Sequence, residues 1–202
     1  MRIIAGARRG MKLLSPETDV SRPITDRVKE SLFNILWNYG FPEDKIVADL
    51  FCGVGSLGLE SLSRGAKFVT FVEKDLKIVA TLKKNIGKAG FAGPSTVSRS
   101  GRSNRESKVV KADAFKIGAP VGEQKYDLIF VDPPYSATRE TKVGSSLSKL
   151  LVLLNEQLSL DGIVVVRTEK RIELLEQYGR LEVIERRQWG TMAVTILRRS
   201  SK

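Results

Sequence analysis

The residues best suited to chemistry are Asp132-Pro133-Pro134-Tyr135, which directly follow an apolar stretch, residues 126–131, typical of a buried strand. Two consecutive prolines cannot continue a sheet or donate backbone hydrogen bonds, so they predict a rigid turn at the carboxyl end of that strand. Open α/β sheets bind their ligands at this edge. A carboxylate and an aromatic ring on such a turn predict a pocket for a planar amine, which suggests a nucleobase.

The chemistry that these residues could perform is methylation of an exocyclic base amine. Such an amine is a poor nucleophile because its lone pair is delocalised into the ring. If the Asp132 carboxylate and the Pro133 carbonyl accept its two hydrogens, the lone pair turns toward a methyl group, while Tyr135 stacks on the base for about 1–3 kcal/mol. The target base must be unpaired or flipped out to reach such a pocket. The alternative is an ordinary strand-end turn that Asp132 caps.

A glycine-rich segment runs off the first predicted strand into a helix. Within it Gly53, Gly55 and Gly58 match the pattern G-x-G-x-x-G. Glycines there let the backbone approach a ligand closely, and the following helix N-terminus is electropositive. Glu73 ends the next strand, 20 residues after Gly53, where an acid can accept hydrogen bonds from both ribose hydroxyls. Together these features predict a nucleoside cofactor.

The cofactor could be NAD or S-adenosylmethionine, and Asp49 favours the second. A carboxylate beside the loop suits a positive sulfonium and an amino group, but it faces a pyrophosphate badly. Asp113, after the third predicted strand, could accept a hydrogen bond from the adenine amine or could simply cap a helix. Cys52 is expected to pack in the loop rather than to act as a nucleophile, since no base lies near it in sequence. The further candidates for cofactor binding are Thr25, Phe51 and Ala114.

The charge of the chain favours a polyanionic partner. Its 202 residues include 34 Lys and Arg against 23 Asp and Glu, a formal charge of +11, although a generally basic enzyme without such a partner is the alternative. The lack of histidine and the single cysteine exclude histidine triads, histidine or cysteine zinc sites and internal disulfides, so no metal is expected. With no signal-peptide core and no apolar run near about 20 residues, we expect a cytoplasmic protein without membrane contact.

The basic N-terminus is the first candidate for nucleic-acid contact. Residues 2–14 are predicted to form a hairpin, and no acid appears before Glu17. This charge could merely protect an exposed sheet edge, but in so basic a chain we interpret the hairpin as a flap that grips phosphates. The candidate RNA-binding residues are Arg2, Arg8, Arg9, Lys12, Arg22 and Arg27.

Apolar periodicity predicts alternating strands and helices, and therefore an α/β fold with a parallel sheet covered on both faces. The predicted strands are 46–51, 68–73, 109–112, 127–132, 162–168, 181–188 and 191–198, and the predicted helices are 25–39, 57–64, 75–90, 144–158 and 171–178. The last two strands should form an antiparallel hairpin at the end of the sheet. We expect one domain over residues 1–202, with 1–20 as a basic hairpin extension and 93–107 as a flexible Ser/Arg-rich loop.

Several segments, in their order, resemble the bacterial RsmD-type methyltransferases, which modify N2 of a guanine in 16S ribosomal RNA with S-adenosylmethionine. The most specific is Arg22-Pro23-Ile24-Thr25-Asp26-Arg27, and the resemblance extends from residue 2 to about residue 135. The segments that carry it are 2–6, 22–34, the glycine loop with Asp49, 62–66, 71–73 and 132–135. Two departures are Cys52, where the family commonly has alanine, and the long 93–105 stretch.

The resemblance implies a class I S-adenosylmethionine-dependent methyltransferase (Rossmann-like) fold. Its mostly parallel sheet would have seven strands, with the antiparallel last strand inserted beside the fifth, preceded by a hairpin and a helix. Gly53, Gly55 and Glu73 would bind the cofactor with Asp113 at the adenine end, and residues 22–27 would close over its methionine end. Residues 132–135 would hold the guanine of 16S ribosomal RNA, either in a small subunit or in an assembly intermediate. S-adenosylhomocysteine would be the product, and a monomer is expected.

Three other functions compete with guanine-N2 methylation. An adenine-N6 methyltransferase acting on DNA or RNA can use the same tetrapeptide, but the 22–34 stretch and the lack of a separate target-recognition domain argue against it. A nicotinamide-dependent oxidoreductase is disfavoured by Asp49 and the tetrapeptide. A non-catalytic RNA-binding protein on a methyltransferase fold is disfavoured because Gly53, Gly55, Glu73 and Asp132 are all intact.

Overall fold

The computed structural model describes residues 1–15, 24–91, 106–120, 122 and 124–200. Its centre is one eight-stranded sheet with the order β3-β2-β1-β4-β5-β8-β7-β6. The strands are β1 (Ile46–Leu50), β2 (Phe68–Glu73), β3 (Glu106–Lys111), β4 (Tyr126–Val131), β5 (Leu158–Glu169), β6 (Gln177–Tyr178), β7 (Leu181–Trp189) and β8 (Met192–Arg199). The helices are α1 (Asp26–Asn38), α2 (Ser56–Ser63), α3 (Leu76–Ala89), α4 (Ala114–Ile117) and α5 (Ser146–Gln157), with short 3-10 turns at Gly6–Arg8 and Tyr135–Thr138.

The strand directions confirm the predicted fold class. Strands β1 to β5 are mutually parallel, and β8 lies antiparallel between β5 and β7. This is the Rossmann-like arrangement, with the antiparallel strand inserted beside the fifth as expected. The predicted β7–β8 hairpin is also present. The sheet has one strand more than the seven predicted, and this additional strand is the two-residue β6 at its outer edge.

Apolar side chains alternate between the two faces of the sheet. Val47, Leu128 and Val165 face one cluster that includes apolar residues of α1, α2 and α3. Ile129 and Val164 face the other, which contains the leucine stripe of α5. Each such side chain, fully buried, contributes about 1.5–3 kcal/mol. Described residues therefore cover both faces, which leaves the ends of the strands as the place where a ligand can approach the sheet.

The predicted helix over residues 171–178 is wrong. The chain there is irregular until β6, which pairs with β7. Arg186 donates hydrogen bonds to the carbonyls of Lys170 and Ile172, groups that a helix would use for its own bonds. The hydroxyl of the buried Tyr178 donates to the Thr141 carbonyl and accepts from the Leu175 N–H. These longer-range bonds outweigh the local helical pattern.

The Ser/Arg-rich stretch of residues 93–105 lies outside the described residues, but residues 106 and 107 do not belong to a loop as predicted. They begin β3, where the Ser107 hydroxyl donates to the Phe91 carbonyl at 2.7 Å. The pairing of Glu106 with Phe68 extends the parallel ladder in this direction. The polar Glu-Ser-Lys sequence did not indicate a strand, because β3 is an edge strand of the sheet and can carry polar side chains there.

The N-terminal segment forms the predicted hairpin in outline, with an antiparallel bridge between Arg2 and Lys12. Its turn contains a 3-10 helix at Gly6–Arg8. Gly6 has a φ of +78°, and a Cβ there would lie 1.9 Å from the Ser63 carbonyl oxygen. The hairpin is therefore packed directly against the end of α2. In the described part of the chain, no helix is both long and apolar enough to cross a membrane.

Candidate active site

The three glycines of the loop after β1 have different structural roles. Gly53 has a φ of +53° and open space where a Cβ would stand. Gly55 is the N-cap of α2 with a φ of +89°, and a Cβ there would lie 2.5 Å from Leu82. A Cβ at Gly58 would lie 2.3 Å from the Phe71 ring. Gly55 and Gly58 thus let α2 pack closely on its neighbours, whereas Gly53 leaves a concave space beside the loop.

Asp49 is buried beneath this loop, and its carboxylate accepts a hydrogen bond of 2.8 Å from the Gly58 N–H. Burial, with a smaller contribution from the negative charges of Asp132 and Glu73, raises the pKa of Asp49 to about 7 against the opposing effect of that hydrogen bond. Asp49 therefore fixes the start of α2 from below. Three carboxylates are close enough to interact electrostatically at this edge, an environment that suits a cationic group.

Glu73 joins the end of β2 to the glycine loop. Its Oε2 accepts from the Gly53 N–H at 3.1 Å, and its Oε1 accepts from the N–H groups of Lys74 and Asp75 at 2.8 and 2.9 Å. A carboxylate can accept about four hydrogen bonds, so these three bonds hold the group in place while leaving it acceptor capacity. Glu73 lies where the sequence predicted, at the strand end beside the loop.

Two aromatic rings, those of Phe51 and Phe115, pack against each other next to the loop. Phe51 has a φ of +58°, which is uncommon for a bulky residue, and its ring centroid lies 4.8 Å from that of Phe115. Asp113 caps α4 by accepting from the Phe115 N–H at 3.0 Å, so the capping alternative is present in the structure. Ala114 is buried beside it. Sequence reasoning missed Phe115, although its position two residues after Asp113 could have indicated it.

Cys52 is buried in the same loop, as the sequence predicted for a packing residue. Burial raises the pKa of its thiol, and the charges of Asp49 and Glu73 act in the same direction. A thiol with a raised pKa is protonated at neutral pH and is a weak nucleophile. The geometry thus gives Cys52 a packing role.

Asp132 follows β4 at the same edge, and its N–H donates to the Leu50 carbonyl at 3.4 Å. This contact places the tetrapeptide beside the chain that leads into the glycine loop. Pro133 is buried, Pro134 is exposed, and the half-buried Tyr135 begins a 3-10 turn. The four predicted residues are therefore presented together at the carboxyl ends of the parallel strands.

Arg167, on β5, is the main residue of the site that sequence reasoning missed. Its Nε lies 2.6 Å from Asp132 Oδ1, and its guanidinium carbon lies 5.8 Å from the centroid of the Tyr135 ring. Burial raises the pKa of Asp132, whereas the Arg167 cation opposes that rise. The signal in the sequence was a single arginine after an apolar strand run, Ile163-Val164-Val165-Val166.

The predicted RNA-binding residues of the hairpin divide into two groups. Arg2 pairs with Asp26 at 2.8 Å, and Arg8 donates to the Ala89 carbonyl and lies over the Phe91 ring. These two arginines fasten the hairpin to α1 and α3. Arg9, Lys12 and Arg27 are exposed, as is Thr25, whose hydroxyl caps α1. Arg22 lies outside the described residues. Across the described ranges, no group of three or more Asp, Glu or Cys side chains is arranged to hold a metal ion.

Comparisons with known proteins agree over nearly the whole chain. The model of a protein family described as conserved hypothetical protein 95 matches residues 1–198. YlbH from Bacillus subtilis, provisionally named an rRNA methyltransferase, is 34% identical over 201 residues, which are 98% of this chain and 99% of the relative. Ribosomal RNA small subunit methyltransferase D of Haemophilus influenzae is 36% identical over 171 residues, which are 84% of this chain and 79% of that protein.

A solved structure gives the same result. YhhF from Escherichia coli, provisionally described as a methyltransferase, superposes with a TM-score of 0.77 at 30% sequence identity. The match covers 100% of this chain and 99% of that one. The glycine loop, the strand-end carboxylates and the tetrapeptide lie at one edge of the sheet, and the likeness to these proteins extends over nearly the whole chain. The chain therefore belongs to the RsmD family of methyltransferases.

Proposed function

We propose that this protein transfers a methyl group from S-adenosylmethionine to the exocyclic N2 amine of a guanine in 16S ribosomal RNA. The observation that carries the proposal is the placement of Asp132 and Tyr135 at the end of β4, beside the glycine loop that follows β1. The names of the relatives support ribosomal RNA of the small subunit as the substrate. The N2 position follows from the sequence resemblance.

The residues around the glycine loop fit S-adenosylmethionine. Gly53 leaves open space beside the loop, and the electropositive N-terminus of α2 follows directly after Gly55. Glu73 keeps acceptor capacity for a ribose hydroxyl, and Phe51 and Asp113 would contact the adenine. No pyrophosphate partner is suggested, because Asp49, Glu73 and Asp132 make this edge acidic. When bound, the cofactor supplies an electrophilic methyl group on a positive sulfonium.

The tetrapeptide holds the nucleophile. The Asp132 carboxylate and the Pro133 carbonyl accept the two amine hydrogens, while Tyr135 stacks on the base. The amine nitrogen would accept the methyl group that S-adenosylmethionine supplies, with S-adenosylhomocysteine, a neutral thioether, as the second product. The extra proton on nitrogen then passes to Asp132 or to water. Positioning and electrostatics supply the rate enhancement, so no histidine is required.

The exposed cations of the hairpin and α1 supply the RNA contact. Arg9, Lys12 and Arg27 bind phosphates, and Arg22 is proposed to do the same. Arg2 and Arg8 contribute charge from positions that also fasten the hairpin. We propose that the chain acts as one domain and as a monomer, in the cytoplasm, on the small subunit or on an assembly intermediate.

The test is to incubate the protein with isotopically labelled S-adenosylmethionine and small ribosomal subunits that lack methylation. Digestion to nucleosides and mass spectrometry should place the label in N2-methylguanosine. Label in N6-methyladenosine would instead support the adenine-N6 alternative. A complete lack of label on subunits, assembly intermediates and naked RNA would contradict methyl transfer itself.

A further inference from the structure

The pair formed by Arg167 and Asp132 follows from the register of two neighbouring strands. Val131 of β4 pairs with Val166 of β5 in the parallel ladder, so the next residues, Asp132 and Arg167, lie side by side. Because side chains alternate along a strand, both point to the face opposite to Val131 and Val166. Their side chains are only 19% and 11% exposed, respectively. Because this ion pair is largely buried within the candidate site, it is expected to have a function there.

We propose that Arg167 is a positioning residue for methyl transfer, holding Oδ1 of Asp132 so that Oδ2 is turned toward the amine of the target base. This inference rests on the proposed function. The 2.6 Å ion pair between Arg167 Nε and Asp132 Oδ1 holds that oxygen against the guanidinium and so restricts rotation of the carboxylate. A carboxylate fixed at one oxygen presents the other in a single direction, which is what acceptance of one amine hydrogen requires.

Tyr135 fixes the arginine in turn. The guanidinium carbon lies 5.8 Å from the centroid of its ring, within the range of a cation–π contact. The same aromatic residue is expected to stack on the base. Asp132, Tyr135 and Arg167 therefore form one unit in which the carboxylate and the stacking ring are held relative to each other by a single planar cation.

The cation also decides whether Asp132 can act as an acceptor. A buried carboxyl group tends to bind a proton, and a protonated Asp132 would donate one hydrogen bond where acceptance is needed. Asp49 shows the effect at this same edge, since burial and, to a smaller extent, the neighbouring negative charges raise its pKa to about 7 despite the hydrogen bond from the Gly58 N–H. Arg167 opposes the corresponding rise at Asp132, and an arginine cannot itself lose its charge.

A lysine would not serve equally well at position 167. An ammonium group is a flexible point charge, whereas the guanidinium is planar, donates from a fixed Nε and stacks on aromatic rings. Lysine should therefore keep Asp132 ionised without holding the carboxylate in one plane. This difference separates the electrostatic part of the role from the geometric part.

The experiment compares wild-type protein with the variants Arg167→Gln and Arg167→Lys. Arg198→Gln is the matched control, because Arg198 also lies over a tyrosine, at 5.3 Å from the Tyr39 ring, but pairs with Ile163 toward the opposite end of β5. For each protein, kcat and KM for RNA are measured from pH 5.5 to 9. Calorimetry gives the affinity for S-adenosylmethionine, and thermal unfolding confirms that each variant is folded.

In Arg167→Gln, loss of the cation should raise the pKa of Asp132, so that its acceptor form is lost at a higher pH. We expect the acid limb of the kcat profile to move upward by about one pH unit or more, with kcat reduced about tenfold at low pH and partly restored at high pH. Arg167→Lys should keep the wild-type acid limb but show a lower kcat throughout. Cofactor affinity should not change in either variant, and Arg198→Gln should match wild type.

An acid limb that stays in place in Arg167→Gln would overturn the inference, whatever happens to the absolute rate. So would an Arg167→Lys variant with the same shift as Arg167→Gln, because a retained charge would then have no effect. If wild-type protein transfers no methyl group at any pH, the proposed function is contradicted, and so is the inference, because it depends on that function. An active wild type with unaltered variants refutes the inference alone.

Discussion

Removal of the charge on Glu60 should release the N-terminal hairpin from the body of the protein. Glu60 on α2 is fully buried, and its carboxylate accepts from the N–H groups of Ile4 and Ala5 at 2.7 and 3.0 Å. It also faces the Lys29 ammonium at 3.5 Å, in a pair that is 0% exposed on both sides. The variant Glu60→Gln keeps the shape and one acceptor oxygen but loses the charge that balances Lys29.

The size of the effect follows from the burial of this pair. Removing one partner of a buried ion pair costs about 3–5 kcal/mol, because the other charge is left uncompensated. Lys29 can limit that cost by losing its proton, since burial already lowers its pKa and the Glu60 charge opposes that change. A lysine whose folded pKa is lowered binds fewer protons in the folded than in the unfolded state, so stability rises with pH toward the unfolded pKa. The penalty in Glu60→Gln should therefore be largest at pH 6–7 and shrink toward pH 10.

The assay is urea unfolding of wild type, Glu60→Gln and the double variant Lys29→Met with Glu60→Gln. The exposed Glu156 supplies the control, Glu156→Gln. We expect a loss of about 3 kcal/mol in the single variant and a smaller loss in the double variant, in which the fully buried Lys29 charge is removed and Arg64, whose side chain is 15% exposed, is the cation that loses its Glu60 partner. Amide exchange at Ile4 and Ala5 should become faster as the hairpin detaches. A loss below about 1 kcal/mol, or a double variant less stable than the single one, would refute the reasoning.

Two further predictions concern ligands. Glu73→Ala removes the acceptor of the Gly53 N–H, so the affinity for S-adenosylmethionine should fall about 10-fold or more. The control variant Asp75→Asn, at an exposed residue, should bind the cofactor as wild type does. If calorimetry gives Glu73→Ala the same cofactor affinity as wild type, Glu73 does not bind the ribose. Replacing Arg9 and Lys12 by glutamine should weaken RNA binding and reduce the slope of log K against log salt by about one per lost phosphate contact. A slope identical to that of wild type would mean that the hairpin does not touch RNA.

Local patterns were enough to predict seven of the eight strands and the positions of the glycine loop and the Asp132–Tyr135 turn. The alternation of β-branched runs and amphipathic helices predicted all five parallel strands, although β5 begins four residues and β3 three residues before the predicted start, and the glycines, Glu73 and Asp132 all lie at the predicted edge. The failures have a common cause in longer-range bonding. The helix predicted at 171–178 is displaced by bonds from Arg186, a residue distant in sequence.

The contacts that position the site could not be predicted from the sequence because they join charged residues that pattern analysis assigns to the surface. Lys29 and Glu60 lie on separate helices, yet both are fully buried and fasten the hairpin. Arg167 reaches Asp132 only through the β4–β5 register. Asp113 illustrates a different limit, since a strand-end aspartate can cap a helix and face a ligand at once.

The most direct test of the central claim is nucleoside mass spectrometry of small subunits treated with wild-type protein or with Asp132→Asn. We expect labelled N2-methylguanosine with wild type and a loss of activity of several orders of magnitude in the variant, which should still bind S-adenosylmethionine with wild-type affinity. Label in N6-methyladenosine, or full activity of Asp132→Asn, would contradict the assignment of Asp132 as the group that accepts the guanine amine.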